Sequence, residues 1–437
     1  MILIAGAGIS GLSLGFHLSR KQKDFIIVDP ASEAGGKIRT VQRDGYQMDT
    51  GPNTLLADSQ VMEFLAEAGL SDEWLLPAAI SKKRFIFRNG RFHGLSAHPL
   101  SLACSPLISW QGKWRIWQER NLKSQSPPGE SFAAFVNRRF GQEALQWIAT
   151  PVQYGIHAAD PEQLLTEDAF PKLLQLEKEY GSVIRGLQKT SSGSRAQTLG
   201  FRGGMQTLSR KLALPLANRI RLNTSLEKIE AVAGGWKCLL SGVGKPESVL
   251  AEEIILCMPA PQAAGLLHSS GMGEMASLLE QISYQSLAVA HMAFQQNNKK
   301  EFQGFGGLVP PAAGYRSAGA IWASSLFPGR APAGMHLLAG FFGGALQPEA
   351  GALSEDQIRS LLQEENAALY GRKADAFPDI TIWKEAIPSY NLQRKLAVEK
   401  LETIRPGNLH FLSNWKGGIG LADCIRNAAI LAQKFLA

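Results

Sequence analysis

Gly6, Gly8 and Gly11 form a G-x-G-x-x-G cluster between an apolar run at residues 1–5 and a segment carrying Leu12, Leu14, Phe16 and Leu18. The apolar run suits a buried parallel strand, and the segment after the glycines is compatible with a helix. Arg20, Lys21 and Lys23 close that segment with the sign that suits a helix C-terminus. Residues 25–28 are a second apolar run, ending in Asp29. The order is strand, glycine turn, helix, strand, acid. Here Gly6 permits the tight turn, Gly8 lets backbone approach a pyrophosphate, and Gly11 lets the helix pack close to the sheet. Ile9 and Ser10 open the helix whose N-terminus faces the phosphates, and Asp29 is placed to bond a ribose hydroxyl. The alternatives are a ligand-free glycine turn and a signal peptide. Against the second, the cations follow the apolar run instead of preceding it.

The composition fits a folded chain with a large core: 437 residues, 45% apolar and 19% charged. The net charge of +7 is spread along the chain, which argues against nucleic acid and is compatible with an anionic substrate or membrane surface. The four cysteines (Cys104, Cys238, Cys257, Cys424) are scattered, so neither a metal site nor a disulfide framework is expected. They suit a reducing, cytoplasmic setting. Residues 331–348 are uncharged apart from Arg330 before them and Glu349 after, but prolines and glycines break them into strand and turns.

After Asp29, Gly35, Gly36, Lys37 and Arg39 lie where the chain can pass back over a dinucleotide, with glycines for close approach and cations for phosphate. Residues 46–49 read as a strand, and Gly51, Pro52, Asn53 and Thr54 as a turn. This succession of glycine fingerprint, acid, GGKIRT and DTGP resembles the FAD-binding start of the flavin amine oxidase superfamily. The resemblance favours FAD over NAD. It implies a glutathione-reductase-like, discontinuous α/β Rossmann domain with a mixed α+β substrate domain and a helical subdomain.

Residues 61–68 read as an amphipathic helix, and residues 82–91 as a hairpin with a basic face. Residues 101–198 are mainly helical in character. Trp110, Trp114 and Trp117 share one helix face beside Lys113, Arg115, Arg120 and Lys123. The reading adopted is tryptophans in the core and cations in solvent, with a membrane interface as the alternative. Ser131 is placed to cap a helix ending near Gly141. Residues 151–161 read as a helix end and a turn. They resemble a G-I-Y-A-G-D-P stretch of protoporphyrinogen and coproporphyrinogen oxidases, with His157 and Ala159 departing from it. His157 is read as structural. Residues 201–205 re-enter the cofactor domain. Residues 220–223 with 226–231, then 236–240 and 248–251, read as three strands of a meander feeding a last parallel strand at 254–258. By resemblance, backbone near Leu226 pairs with adenine.

Later stretches (304–310, 320–332, 337–344, 382–390) are apolar strands that suit core and a large flat pocket alike. They resemble the porphyrinogen oxidase substrate domain, with Ser389 where glutamine is usual. Residues 414–424 form a glycine loop before a terminal helix, whose N-terminus would stabilise negative charge on a reduced flavin. Asn414, Trp415, Ile419, Gly420 and Leu421 are the expected contacts there.

The expected segments are 1–80, 199–264 and 404–437 for the FAD domain, 81–100 and 265–403 for the substrate domain, and 101–198 for the helical subdomain. The implied reaction is FAD- and oxygen-dependent oxidation of protoporphyrinogen IX. Coproporphyrinogen III is the alternative. Another amine-oxidase-like substrate, a non-catalytic flavin-fold protein resembling GDP-dissociation inhibitors, and a porphyrin-binding scaffold also stay open. Arg84 is the expected propionate contact and Gly155 the expected pocket backbone; no residue is identified as a strong base. Peripheral membrane contact and a homodimer are left open.

Overall fold

In the computed structural model, the described residues are 1–95, 105–190, 196–242, 244–298 and 301–435. Cys104, part of the 81–100 hairpin and the start of the helical segment lie outside them. Two sheets organise the molecule. The first has five strands in the order Ile220–Arg221, Phe25–Val28, Ile2–Ala5, Glu253–Leu256 and Leu409–Phe411, all parallel. Such strands are buried on both faces, which is why their sequences are nearly continuous apolar runs. Side chains alternate across them. Ile2 and Ile4 pack with the helices Ile9–Arg20, Gln206–Ala213 and Leu421–Lys434. Leu3 and Ala5 face the other way, toward Ala260–Ser269, Gly273–Glu280 and Leu401 of Leu392–Ile404.

The meander differs from expectation in one respect. Ile220–Arg221 is the edge of the parallel sheet and pairs with Ile27 and Val28, while Thr224–Val232 starts the antiparallel meander. Asn223 adopts φ 50° between them, which turns the chain out of one sheet and into the other.

The second sheet runs Ala376–Pro388, Tyr284–Gln295, Met335–Gly343, Ser317–Ile321, Gly306–Leu308, Arg84–Arg88, Arg91–Leu95. The basic hairpin thus joins it through one parallel pairing, Leu308 opposite Ile86. One face carries Ala288, Ala290, Met292, Phe294, Leu338 and Phe342 against Ile358 and Leu362 of the helix Glu355–Tyr370. By alternation, Leu287, Ile321, Phe341 and Trp383 occupy the opposite face. They are only half-buried.

Residues 105–190 are largely helical, and Ser131 caps Phe132–Phe140 through a bond from the Ala134 amide, with Gly141 ending it at φ 87°. A wide π-type turn, Leu145–Ala149, leads into Thr150–His157 with Pro151 in its first turn. Such widening relieves the clash a proline makes with the preceding turn. The three tryptophans are not core. Trp110, Trp114 and Trp117 are 79%, 59% and 52% exposed, and the helix Trp110–Gln118 has no buried residue. Its contact with the core runs instead through Ile116, which packs with Ile86, Leu107 and Ile108. A shared face therefore reveals which residues travel together but not which way they point.

Candidate FAD and substrate site

The glycine turn has the geometry its spacing implies. Gly6 adopts φ 117°, and a Cβ there would lie 2.7 Å from the Cys257 carbonyl oxygen. A Cβ at Gly11 would strike the Gly6 carbonyl oxygen, whereas one at Gly8 would meet nothing within 4 Å. Gly8 thus borders open space, and it caps the helix Ile9–Arg20 without any side-chain cap or first-turn acid. The first amides of that helix, at Ile9, Ser10 and Gly11, are left for an anion. Asp29 accepts bonds from the amides of Ala7 (2.7 Å) and Ala31 (2.8 Å), which hold its carboxylate beside the turn. The meander starts next to it, where the Thr224 amide bonds the Asp29 carbonyl at 2.9 Å. Leu226 follows, half-buried against the same core.

The next two motifs close on this turn. A Cβ at Gly36 (φ 59°) would sit 3.4 Å from the Gly8 Cα, and one at Gly51 would strike the Lys37 carbonyl oxygen. Asn53 folds its own turn by donating to the carbonyls of Gly51 (3.0 Å) and Asp49 (3.3 Å), flanking Pro52 and Thr54. The cations of GGKIRT reach toward the second sheet. Lys37 Nζ donates to the carbonyls of Glu385 and Ala386, the latter at 3.0 Å. Burial lowers its pKa to about 8, with Glu385 opposing the shift. The Arg39 guanidinium lies 5.7 Å above the Trp383 ring, and the Trp383 indole donates to the Thr50 carbonyl at 2.7 Å. Beneath them, Asp49 accepts from Thr40 (2.7 Å) and the Met205 amide (2.8 Å) and lies 3.4 Å from the buried Arg330. Nothing in the sequence pattern pairs Asp49 with Arg330.

At the far end, Gly420 caps Leu421–Lys434 and its amide donates to Asp423 at 3.1 Å. Ile419 and Leu421 flank it half-buried. Trp415 is fully buried, its indole donating to the Met258 carbonyl at 3.2 Å. Asn414, just before it, is half-buried.

These glycine approaches, uncapped helix amides and converging motifs fit a long dinucleotide. A model of the flavin containing amine oxidoreductase family matches residues 9–427. The chain belongs to that family. It is a flavin oxidoreductase and its cofactor is FAD. Among relatives, protoporphyrinogen oxidase of Nicotiana tabacum mitochondria is 28% identical, covering 100% of this chain and 95% of its own length. Coproporphyrinogen III oxidase of Bacillus subtilis is 24% identical over 97% and 95% respectively. The crystal structure of an Exiguobacterium sp. 255-15 protein superposes with TM-score 0.83 at 21% identity, covering 100% of this chain and 98% of that one.

The second sheet also presents its half-buried face. Gly155 approaches it: a Cβ there would lie 3.0 Å from a Leu308 methyl. Arg84, Ile86 and Arg88 share one face of their strand. Arg88 is committed to Glu143 (3.0 Å) and stacks 4.3 Å over Trp147. Arg84 is exposed and rests 4.7 Å over Phe305.

His157 sits beyond Gly155, buried 5.3 Å from the Phe170 ring and 6.3 Å from the Tyr390 ring. Burial lowers its pKa from 6.5 to about 4, with Asp423 opposing the shift. Between these values the unfolded chain binds a proton that the folded chain refuses, so stability is full above pH 6.5 and is lost as pH falls toward 4. Wild type should lose roughly 3 kcal/mol more than His157→Phe over that window. Urea unfolding of both proteins at several pH values checks this; parallel curves would remove His157 from the acid response.

Proposed function

We propose that the protein oxidises protoporphyrinogen IX to protoporphyrin IX with oxygen as the acceptor. The observation that carries the reading is the apolar, half-buried sheet face of Leu287, Leu308, Ile321 and Phe341, with Gly155 against it and, nearby, the exposed Arg84, which has no ion pair among the described residues. A flat hydrophobic macrocycle with peripheral carboxylates suits that combination. Relatives named protoporphyrinogen and coproporphyrinogen III oxidases, aligned over nearly the whole chain, support it.

The conversion removes six hydrogens, consuming three oxygen molecules and forming three of peroxide. Bound FAD supplies the two-electron acceptor for each step. The chain's own contribution is to hold the substrate's plane against the apolar face and exclude water there. It also holds the amides of Leu421–Lys434 toward the flavin end of the cleft, where negative charge is stabilised. Pyrrole protons leave as conjugation forms, so the scheme requires no strong side-chain base.

Arg84 is read as a propionate contact. Of the two arginines that flank Ile86, Arg88 is already paired, which fits a diacid better than a tetra-acid. Porphyrin fluorescence in air, with both porphyrinogens and blanks for autoxidation, tests the reading. Protoporphyrin should form faster. A preference for coproporphyrin would select the alternative, and no rate above blank from FAD-loaded protein would refute both. Arg84→Ala should raise KM about ten-fold with kcat little changed, since one charged hydrogen-bonded contact is lost.

The exposed tryptophans, with Lys113 5.0 Å from the Trp110 ring, further suit peripheral contact with an anionic membrane. Among the described residues no helix is long and apolar enough to cross one. Sedimentation with anionic but not neutral vesicles, abolished in Trp110→Ser/Trp114→Ser, is the expected outcome. Equal recovery of wild type and the double variant would discard this contact.

A further inference from the structure

Gly417 and Gly418 adopt φ 84° and 117° in the loop between the strand Leu409–Phe411 and the helix Leu421–Lys434. Backbone of this kind has little intrinsic shape, because glycine leaves many conformations open. Two side chains from the segment that follows the edge strand of the second sheet hold it. Tyr390 is 3% exposed. Its hydroxyl donates to the Asn414 carbonyl at 2.8 Å and accepts from the Gly418 amide at 2.7 Å, so a single oxygen ties the two sides of the loop. Arg394 donates Nε to the Trp415 carbonyl at 2.9 Å and lies 4.1 Å above the Tyr390 ring.

Both are anchored outside the cofactor domain. The Tyr390 carbonyl accepts from the Leu165 amide at 2.9 Å, and Arg394 pairs with Asp168 at 2.8 Å. A phenylalanine would fill the same volume. What the hydroxyl adds is a donor and an acceptor, both spent on the backbone of one loop and both shielded from water.

We propose that Tyr390, supported by Arg394, is a positioning residue for FAD. It holds residues 414–420 in the shape that aims the N-terminus of Leu421–Lys434 at the bound flavin. The proposal rests on the cofactor and not on which substrate is oxidised. It also ties flavin affinity to the packing of the helical segment, through Leu165 and Asp168.

The test is titration of apoprotein with FAD, read by quenching of flavin fluorescence, for wild type and Tyr390→Phe. Hydrogen exchange across residues 414–420 and the apoprotein melting temperature are measured alongside. The FAD Kd should rise about ten-fold, with faster exchange confined to that loop, as expected for losing two shielded hydrogen bonds. A Kd within two-fold of wild type, or unchanged exchange in the loop, would overturn the proposal. A purely structural tyrosine would lower the melting temperature and leave the Kd alone. If Tyr390→Phe does not yield folded apoprotein, Arg394→Lys decides. Lysine keeps the charge near Asp168 but loses the Nε bond to Trp415. It must weaken FAD as well, and an unchanged Kd would equally reject the clamp.

Discussion

Gly11→Ala should give a protein purified without flavin, with FAD affinity lowered at least about a hundred-fold. The added methyl would strike the Gly6 carbonyl oxygen and lie 3.3 Å from Ile4 Cγ2. Overpacking against side chains commonly costs about 1–3 kcal/mol, and here the obstacle is backbone that cannot swing aside. Gly6 has no room to retreat, since its Cβ direction already faces the Cys257 carbonyl. Either the helix Ile9–Arg20 lifts from the sheet or the turn opens, and both move the amides at the helix start. Gly8→Ala gives the informative contrast. Its methyl meets no protein atom within 4 Å, so the apoprotein should melt near the wild-type temperature while FAD binding weakens. The absorbance ratio of flavin to protein after purification, with FAD titration of each apoprotein, reads both. Normal flavin content in Gly11→Ala would contradict the assigned role of this turn.

The second large effect is expected at Gly155. Valine there would drive two methyls into the Leu308 side chain, which already lies 3.0 Å from the Cβ position. If substrate lies along this sheet face beside Gly155, Gly155→Val should lower kcat/KM by more than about a hundred-fold, that is by roughly 2.7 kcal/mol. Flavin content should not change, because no described contact of Gly155 reaches the cofactor motifs. Leu308→Ala in the same chain should restore part of the loss, since the two residues share one gap and their effects cannot be independent. Steady-state kinetics of the single and double variants decide it. Undiminished turnover in Gly155→Val would place the substrate elsewhere.

Much of the cofactor domain is visible in local pattern because its determinants are local. A parallel strand buried on both faces is an apolar run, and close backbone contact needs glycine. The runs at 2–5 and 25–28 and the glycines at 6, 8, 11, 36 and 51 therefore announce themselves. The second sheet is less legible. Its strands alternate between a face packed on Glu355–Tyr370 and a half-buried face. Both faces carry large apolar side chains, so composition alone does not separate core from pocket. The tryptophan helix shows the same ambiguity with the opposite outcome: periodicity groups Trp110, Trp114 and Trp117, but packing of Ile116 sets their direction.

By itself the sequence determined the strand–turn–helix–strand order of the first 29 residues, the dinucleotide turn, the acid after the second strand and the glycine loop before the last helix. Each depends on contacts between residues close in the chain or on a residue type that no other can replace. Only the tertiary structure decided that Lys37 reaches the carbonyls of Glu385 and Ala386, that Asp49 faces Arg330, and that Tyr390 and Arg394 hold the loop at 414–420. Those pairings join segments far apart in sequence, and each uses a lysine, arginine, aspartate or tyrosine that would serve equally well on a solvated surface. What gives them a role is burial, which removes water as the competing partner, and burial is a property of the whole fold.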